Sequence, residues 1–484
     1  MRVAYFTSRY SQATQALAVV LVLITFAAII GVGVVRGQEY FYMGVAAALG
    51  VVVLLRPAWG LVGYLVLAAT LKGTEEVSSN EIAIFALLLW QFLLASIRMI
   101  YYGPRLARPV RAVIGATYLF FALAAVSLAI SVGNDITFRQ WARDVSALGN
   151  LALIAIMPAF LRHDRDIRLL RTVFLGLCVY IGLASTASLL GLPFLADPLS
   201  VGGTWIYPIL VSAAAASLST FVRIQWQYLA MGGLGLLNAF ASNTRTIWVG
   251  VLVVVIVSLL TNLRAGMVRR NIVILLVVVA MGLFAFGIAR RTLGTERWEL
   301  QQERLGTLQD LSEDQSFIIR TEQRRAAYEQ FRAYPLFGVG LGYQYEYHIP
   351  FTTKYEERTN YNHSDFANYL CKMGIVGIAA LAWLFFTTLT LCNRLIHFAP
   401  LQEDRWIGRT GQISLLAAVV MANATPILQE RGTTFLLGFL VSIIVLLGVR
   451  NQEQPGFRGP VTQAEPTPAG SEAEPERELT ILGR

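Results

Sequence analysis

Apolar runs long enough to cross a bilayer recur from residue 15 to residue 450, and no motif constrains the fold as strongly. Lipid offers no partner to backbone polar groups, so such runs predict helices whose hydrogen bonds close within the segment. Composition agrees: 56% of residues are hydrophobic and 14% charged, with a mean hydropathy of +0.57. The pattern predicts an all-α, polytopic membrane protein. Candidate spans fall near 14–35, 39–55, 58–71, 81–100, 112–132, 146–161, 169–191, 204–221, 226–241, 247–262, 271–289, 365–393, 411–427 and 432–449. Segments 58–71 and 226–241 are short enough to be re-entrant or merged, so 12–14 transmembrane helices are expected.

The net charge of +9 would suggest nucleic acid in a soluble chain. Here the arginines sit between apolar runs, which points to membrane topology and away from a nucleic-acid partner. Alternate connections are basic: Arg98, Arg105, Arg108 and Arg111; Arg162, Arg165, Arg168 and Arg171; Arg264, Arg269 and Arg270; Arg394, Arg405 and Arg409. The connections between them hold few cations, namely Arg36, Lys72, Arg139, Arg143, Arg245 and Arg431. Under the positive-inside rule both termini are expected in the cytoplasm and the long connection near 290–364 outside it. The first run, Gln15 to Val35, is too long for a signal segment and lacks a small-residue cleavage pattern, so a retained helix is expected. Cys178, Cys371 and Cys392 lie in or at the ends of apolar stretches, at no ligand spacing.

This divides the chain into helices with short loops over 1–289, an external loop over 290–364, further spanning helices over 365–450 and a tail over 451–484. Within the loop, SFIIRTEQRRAAYEQFRAY (316–334) reads as an amphipathic helix near the membrane surface, stopped by Pro335. A second, polar helix is expected over Glu296–Asp314. The tail carries five prolines, six acidic and three basic residues, a composition that predicts disorder.

The polar residues able to do chemistry gather on one side. NHSDFANYLCKMGIVG (362–377) sets His363 at the mouth of a hydrophobic helix, with Gly374 and Gly377 deeper. At about 100° per residue Gly374 falls nearly under His363, leaving a face small enough for a neighbouring helix. A polar cap with two packing glycines is the alternative reading. Arg245 opens a helix in SNTRTIWVG (242–250), Arg139 and Arg143 lie in the connection ITFRQWARD (136–144), and Arg320, Arg324 and Arg325 share the loop helix. A single arginine at a membrane helix end is ordinary snorkelling. Several guanidiniums and one imidazole on a common aqueous rim instead suit a diphosphate, which arginine grips bidentately. No outer connection holds a DxD or HExxH motif, and GVGLG lacks the Lys–Ser/Thr of a nucleotide-binding loop, so neither a metal nor ATP is expected. Gly338, Gly340 and Gly342 are expected to allow a tight backbone path under the loop helix, and Ser364 to cap the next helix.

Three of these segments carry a resemblance to the O-antigen ligases (WaaL-type) of the O-antigen ligase/polymerase superfamily. SNTRT (242–246) is similar to the family's Ser/Thr-Arg motif. The run from Arg320 to PLFGVGLG (335–342) resembles its arginine followed by P-L-x-G-x-G-x-G. His363-Ser364, nine residues, then Gly374-Ile-Val-Gly377 fits its His-Asn/Ser and Gly-x-x-Gly pattern. The resemblance implies a GT-C-like fold in the bacterial inner membrane and a metal-independent, inverting glycosyltransferase with no cofactor and a periplasmic site. Its donor would be a glycan on undecaprenyl diphosphate and its acceptor a hydroxyl of lipid A–core. Arg245 and Arg320 match the arginines engaging the donor diphosphate and His363 matches the proposed base, while the surroundings of Arg139 and Arg143 match less well. A polymerase of the same superfamily and a protein O-oligosaccharyltransferase are the near rivals. A lipid-linked glycan transporter, the rival from another class, would place polar residues at mid-membrane, whereas these spans are clean.

Overall fold

The computed structural model describes Tyr64 and residues 79–102, 106–161, 163–189, 205–241, 244–264, 268–292, 315–348, 357–454 and 457. The expected spans 14–35 and 39–55, all of 58–71 but Tyr64, the polar helix at Glu296–Asp314 and nearly all of the tail lie outside them. The helices are α1 (Ser79–Tyr102), α2 (Arg108–Gly133), α3 (Phe138–Gly149), α4 (Leu153–Phe160), α5 (Asp164–Leu189), α6 (Ile206–Thr220), α7 (Trp226–Ala241) and α8 (Arg245–Arg264). Then come α9 (Val268–Thr292), α10 (Gln315–Ala333), α11 (Asp365–Phe398), α12 (Gln402–Met421) and α13 (Arg431–Asn451). Between α10 and α11, β1 (Tyr345–Tyr347) pairs antiparallel with β2 (Glu357–Thr359). The protein is an all-α, multi-pass membrane protein.

Among the described residues, 6 helical stretches are long and apolar enough to cross a membrane: Arg108–Gly133, Phe138–Phe160, Asp164–Ala187, Arg245–Leu263, Asp365–Phe398 and Arg431–Asn451. Helix α13 is apolar on every side, as its sequence TTFLLGFLVSIIVLLGV dictates, and forms the middle of the bundle with nearly all of its side chains buried. The outer helices expose apolar stripes instead. Leu252, Ile256, Leu260 and Leu263 line the outside of α8, and Ile272, Leu276, Val279 and Leu283 line α9. Apolar surface on the perimeter is what lipid requires, and helices in lipid are held by close packing and polar contacts between them. Two indoles supply such contacts, Trp406 Nε1 donating to the Ala213 carbonyl at 2.9 Å and Trp205 Nε1 to that of Ser414 at 3.2 Å.

Sequence hydropathy misplaces three boundaries. The connection 136–144 is mostly helix: Thr137 and Gln140 form a reciprocal capping box that starts α3 at Phe138. Helix α12 begins at Gln402, well before the apolar part of its sequence, because its polar first turns project past the membrane-facing region. It ends at Met421, and residues 422–427, expected to be helical, form with 428–430 a turn around Pro426.

The bundle has two chemically distinct ends. At one end Arg450 pairs with Asp404 and Asp164, Arg171 with Glu403, Ala107 N–H bonds Gln452, and Arg270 bonds the Ser219 carbonyl. All four basic connections therefore share that end, as the alternation of charge requires. The starts of α3, α8, α11 and α13 and the ends of α2 and α12 share the other.

Candidate functional site

At this second end the segment 360–364 is fastened on three sides. Ser364 caps α11, its Oγ accepting the Ala367 N–H. The Asp365 carboxylate takes the Ile427 and Leu428 N–H groups at 2.7 and 2.8 Å and Gln429 Nε2 at 2.9 Å. Gln429 bonds Asn362 reciprocally: it accepts the Asn362 N–H at 3.0 Å and donates to the Asn362 carbonyl at 2.7 Å. Asn362 Nδ2 reaches the Gln323 carbonyl on α10 at 3.1 Å. Tyr345 of β1 donates to the Tyr361 carbonyl at 2.7 Å. The turn after α12, the loop helix and the hairpin thus hold one short strand of backbone.

That strand carries His363. Its ring is half-buried and stands edge-on to Tyr361, with centroids 5.2 Å apart. Burial, and then the positive charge of Arg320, lower its pKa to about 4. The ring is therefore neutral near pH 7. Arg320 also acts on the Tyr361 hydroxyl. Burial raises that group's pKa, Glu430 and Asp365 add to the rise, and Arg320 opposes them. Glu430 is itself raised by burial against a hydrogen bond from Thr433. Arg320 and His363, 43 positions apart in the chain (363 − 320), are therefore electrostatic neighbours.

The glycine motifs prove to be two halves of one joint. At φ 64° and ψ −167° Gly374 leaves the helical conformation, which opens the hydrogen-bond ladder of α11. In an unbroken helix Ile375 and Val376 would donate to Cys371 and Lys372. Instead the loop 335–340 inserts: Ile375 N–H goes to the Pro335 carbonyl (2.9 Å) and Val376 N–H to that of Leu336 (3.2 Å). Val339 N–H takes the freed Cys371 carbonyl (2.9 Å) and Gly340 N–H that of Lys372 (3.0 Å). A β-carbon on Gly338, at φ 71°, would lie 2.5 Å from the Cys371 carbonyl oxygen, and one on Gly342 2.5 Å from Trp141 N. Gly340, at φ 101°, presses on Ser131 of α2, whose hydroxyl bonds the Leu341 carbonyl at 2.8 Å.

This corrects the helical-face expectation. His363 lies before the helix begins and Gly374 is not helical, so the two share no helix face. Gly374 receives the loop, not a neighbouring helix. A β-carbon on Gly377 would meet Met373 of the same helix, because the break brings that side chain across it.

Beside the joint lies a polar cluster. Lys372 Nζ is 2.7 Å from Asp144 Oδ2 and donates to the Asn360 carbonyl at 2.8 Å. Asp144 Oδ2 also accepts the Gly342 N–H at 2.8 Å. With the Asn360 amide turned so that its oxygen faces Arg143, it accepts Arg143 Nε at 3.0 Å and Nη2 at 3.1 Å. The chain then runs through Tyr361 and Asn362 to His363. Sequence reading passed over Lys372, Asp144, Asn360 and Gln429. The lysine inside an apolar span was the available signal, since an ionisable residue there needs a partner.

The structure thus brings Arg320, Arg143 and the glycines Gly338, Gly340 and Gly374 around the His363 segment. Arg139, one turn earlier on α3, is exposed. Arg245 is the first residue of α8, and Gly250 of that helix packs on Met421, directly before the Ala422 carbonyl that accepts the Asp365 N–H. Arg245 therefore belongs to the same end of the bundle as His363. A neutral imidazole and several guanidiniums at one end form a set able to accept a proton and to stabilise an anionic group.

Residues 230–382 match a family model described as O-antigen ligase. No curated protein matches the chain.

Proposed function

We propose that the chain, whose residues 230–382 match a family model described as O-antigen ligase, is an inverting glycosyltransferase that moves a glycan from undecaprenyl diphosphate to a sugar hydroxyl of lipid A–core. The observation that carries this reading is the pairing of a half-buried, neutral His363 with the charge of Arg320. The acceptor hydroxyl gives its proton to His363, its oxygen bonds the anomeric carbon with inversion, and the bond from that carbon to the diphosphate oxygen breaks. Undecaprenyl diphosphate leaves as an anion. Arg320, Arg245 and Arg143 stabilise that anion, a role that a metal ion fills in many other transferases. Because the lipid diphosphate linkage is already activated, no ATP is needed.

The depressed pKa suits an ordered reaction. Before the donor binds, Arg320 disfavours the imidazolium. A bound diphosphate offsets that charge, so His363 becomes a stronger base when the donor is in place. The positive-inside pattern supports a periplasmic site, cytoplasmic termini and residence in the inner membrane.

The test is reconstitution of the purified protein with lipid-linked glycan and separate acceptors. Wild type is expected to form core-linked glycan, and His363→Ala to insert normally while the lipid-linked donor accumulates. A ladder of glycan–glycan products without core transfer would assign a polymerase instead, and transfer only to a secreted protein a protein O-oligosaccharyltransferase. Normal core transfer by His363→Ala would remove the base.

A further inference from the structure

Asp144 is shared by two cations, and the shares are unequal. Lys372 Nζ lies 2.7 Å from Oδ2, whereas the Arg143 guanidinium approaches Oδ1 only to 3.4 Å through Nε and 3.5 Å through Nη2. The Lys372 side chain is 1% exposed and that of Asp144 10%, while Arg143 retains 17%. Charges attract more strongly at shorter range and when shielded from water, so Asp144 is neutralised mainly by Lys372. With the Asn360 amide turned toward it, Arg143 also holds the side-chain oxygen of Asn360, a neutral acceptor that occupies donors without cancelling charge. The trio sums to one positive charge, and the distances leave that surplus on Arg143, the member nearest solvent.

We propose that Lys372 is a positioning residue for the anion-binding side of the site: by neutralising Asp144 it keeps the charge of Arg143 uncancelled for the diphosphate of the lipid-linked donor. The inference rests on the glycosyltransferase reading for its ligand. It goes further in assigning a role to a buried ion pair that makes no contact with the reacting atoms. Without Lys372, Asp144 would be left buried beside the Arg143 guanidinium, which would turn to it.

The experiment measures binding of undecaprenyl diphosphate, carrying no glycan, to the purified full chain in detergent, alongside melting temperature. K372M is expected to weaken binding by about 10- to 100-fold, the range for a lost charge-assisted contact. D144N/K372M restores the surplus charge and is expected to bind within about threefold of wild type. R143A should weaken wild type and the double variant, yet add nothing to K372M, because its charge is already spent on Asp144. A purely structural clamp moves the melting temperature but does not produce that dependence on Arg143. The proposal is overturned if K372M binds like wild type, if R143A and K372M losses simply multiply, or if the double variant stays weak while melting normally. Should K372M not fold, D144N decides: binding at least as tight as wild type supports the proposal and weaker binding sinks it. Wild type that binds undecaprenyl diphosphate but transfers nothing would refute the transferase reading while leaving this one standing.

Discussion

Gly374 and Leu336 meet backbone against backbone. At φ 64° Gly374 turns out of α11, and a β-carbon there would run into the Leu336 carbonyl, which is already accepting the Val376 N–H at 3.2 Å. Two sequence motifs 32 positions apart (374 − 342) are therefore one structural unit, a loop spliced into the ladder of a membrane helix. The unit orients the turn of α11 that carries Lys372 and, above it, the helix start that follows His363.

Gly374→Ala should break this unit. A left-handed conformation alone costs a non-glycine residue about 1–3 kcal/mol, and the collision adds to it. The variant is expected to melt lower than wild type and to lose transfer activity. Gly115→Ala on the exposed side of α2, where a β-carbon meets nothing within 4 Å, is the control and should melt no lower than wild type. Equal melting temperatures for the two variants would mean that the joint carries no stability.

Much of this was legible in the chain, for a physical reason. Hydropathy reports where lipid must be excluded from backbone polar groups, and α2, α5, α8, α9, α11 and α13 lie where the apolar runs predict. It does not report where a helix ends once it leaves lipid, which is why hydropathy assigns the first turns of α3 to the connection 136–144 and starts α12 too late. The capping box of Thr137 and Gln140 was the local clue for α3. Ser364 as a cap needed only neighbouring residues and was readable. The joint was not: Gly374 looked like a helix-packing glycine because its φ depends on a loop that arrives from the preceding connection. The same holds for Lys372, whose partner Asp144 is 228 positions away.

The pH dependence of the reaction should carry the signature of His363. The ring must be neutral to accept a proton, so activity is lost as pH falls through its pKa and is full above it. For kcat/KM, which reports the free enzyme, the acid limb is expected near pH 4. For kcat the limb should lie higher, because the bound diphosphate offsets Arg320. Arg320→Gln removes the second cause of the depression and leaves burial, so its kcat/KM limb should move upward toward, without reaching, the unperturbed value of about 6.5. Limbs that coincide in wild type and Arg320→Gln would dissociate the two residues.

The fastening of the His363 strand can be loosened without touching the ring. Gln429→Ala removes two bonds to Asn362 and one to the Asp365 carboxylate. Loss of such buried partners costs about 1–3 kcal/mol. The expected result is a fall in kcat with little change in donor KM, since the strand aims the base and does not hold the donor. Gln429→Glu keeps the size and the acceptor to Asn362 N–H but sets a carboxylate against Asp365, and should be at least as damaging. A pure KM effect in steady-state transfer assays would refute the aiming role.

The last prediction concerns the charge itself. If Arg320 and Arg245 grip the donor diphosphate, alanine at either position should raise donor KM by about 10- to 100-fold, the range expected for a charge-assisted contact. Lysine should recover little of that loss. It restores the positive charge but replaces a planar fork of donors with a single ammonium that cannot hold two phosphate oxygens side by side. The two sites should differ in a second respect. Only Arg320 bears on the imidazole of His363, so Arg320→Lys should retain the acid limb of wild type while Arg320→Ala shifts it, and neither change at Arg245 should move it. Donor titrations run at several pH values separate these effects. If both alanine variants bind undecaprenyl diphosphate normally, the diphosphate must be held elsewhere and the proposed leaving-group stabilisation falls with it.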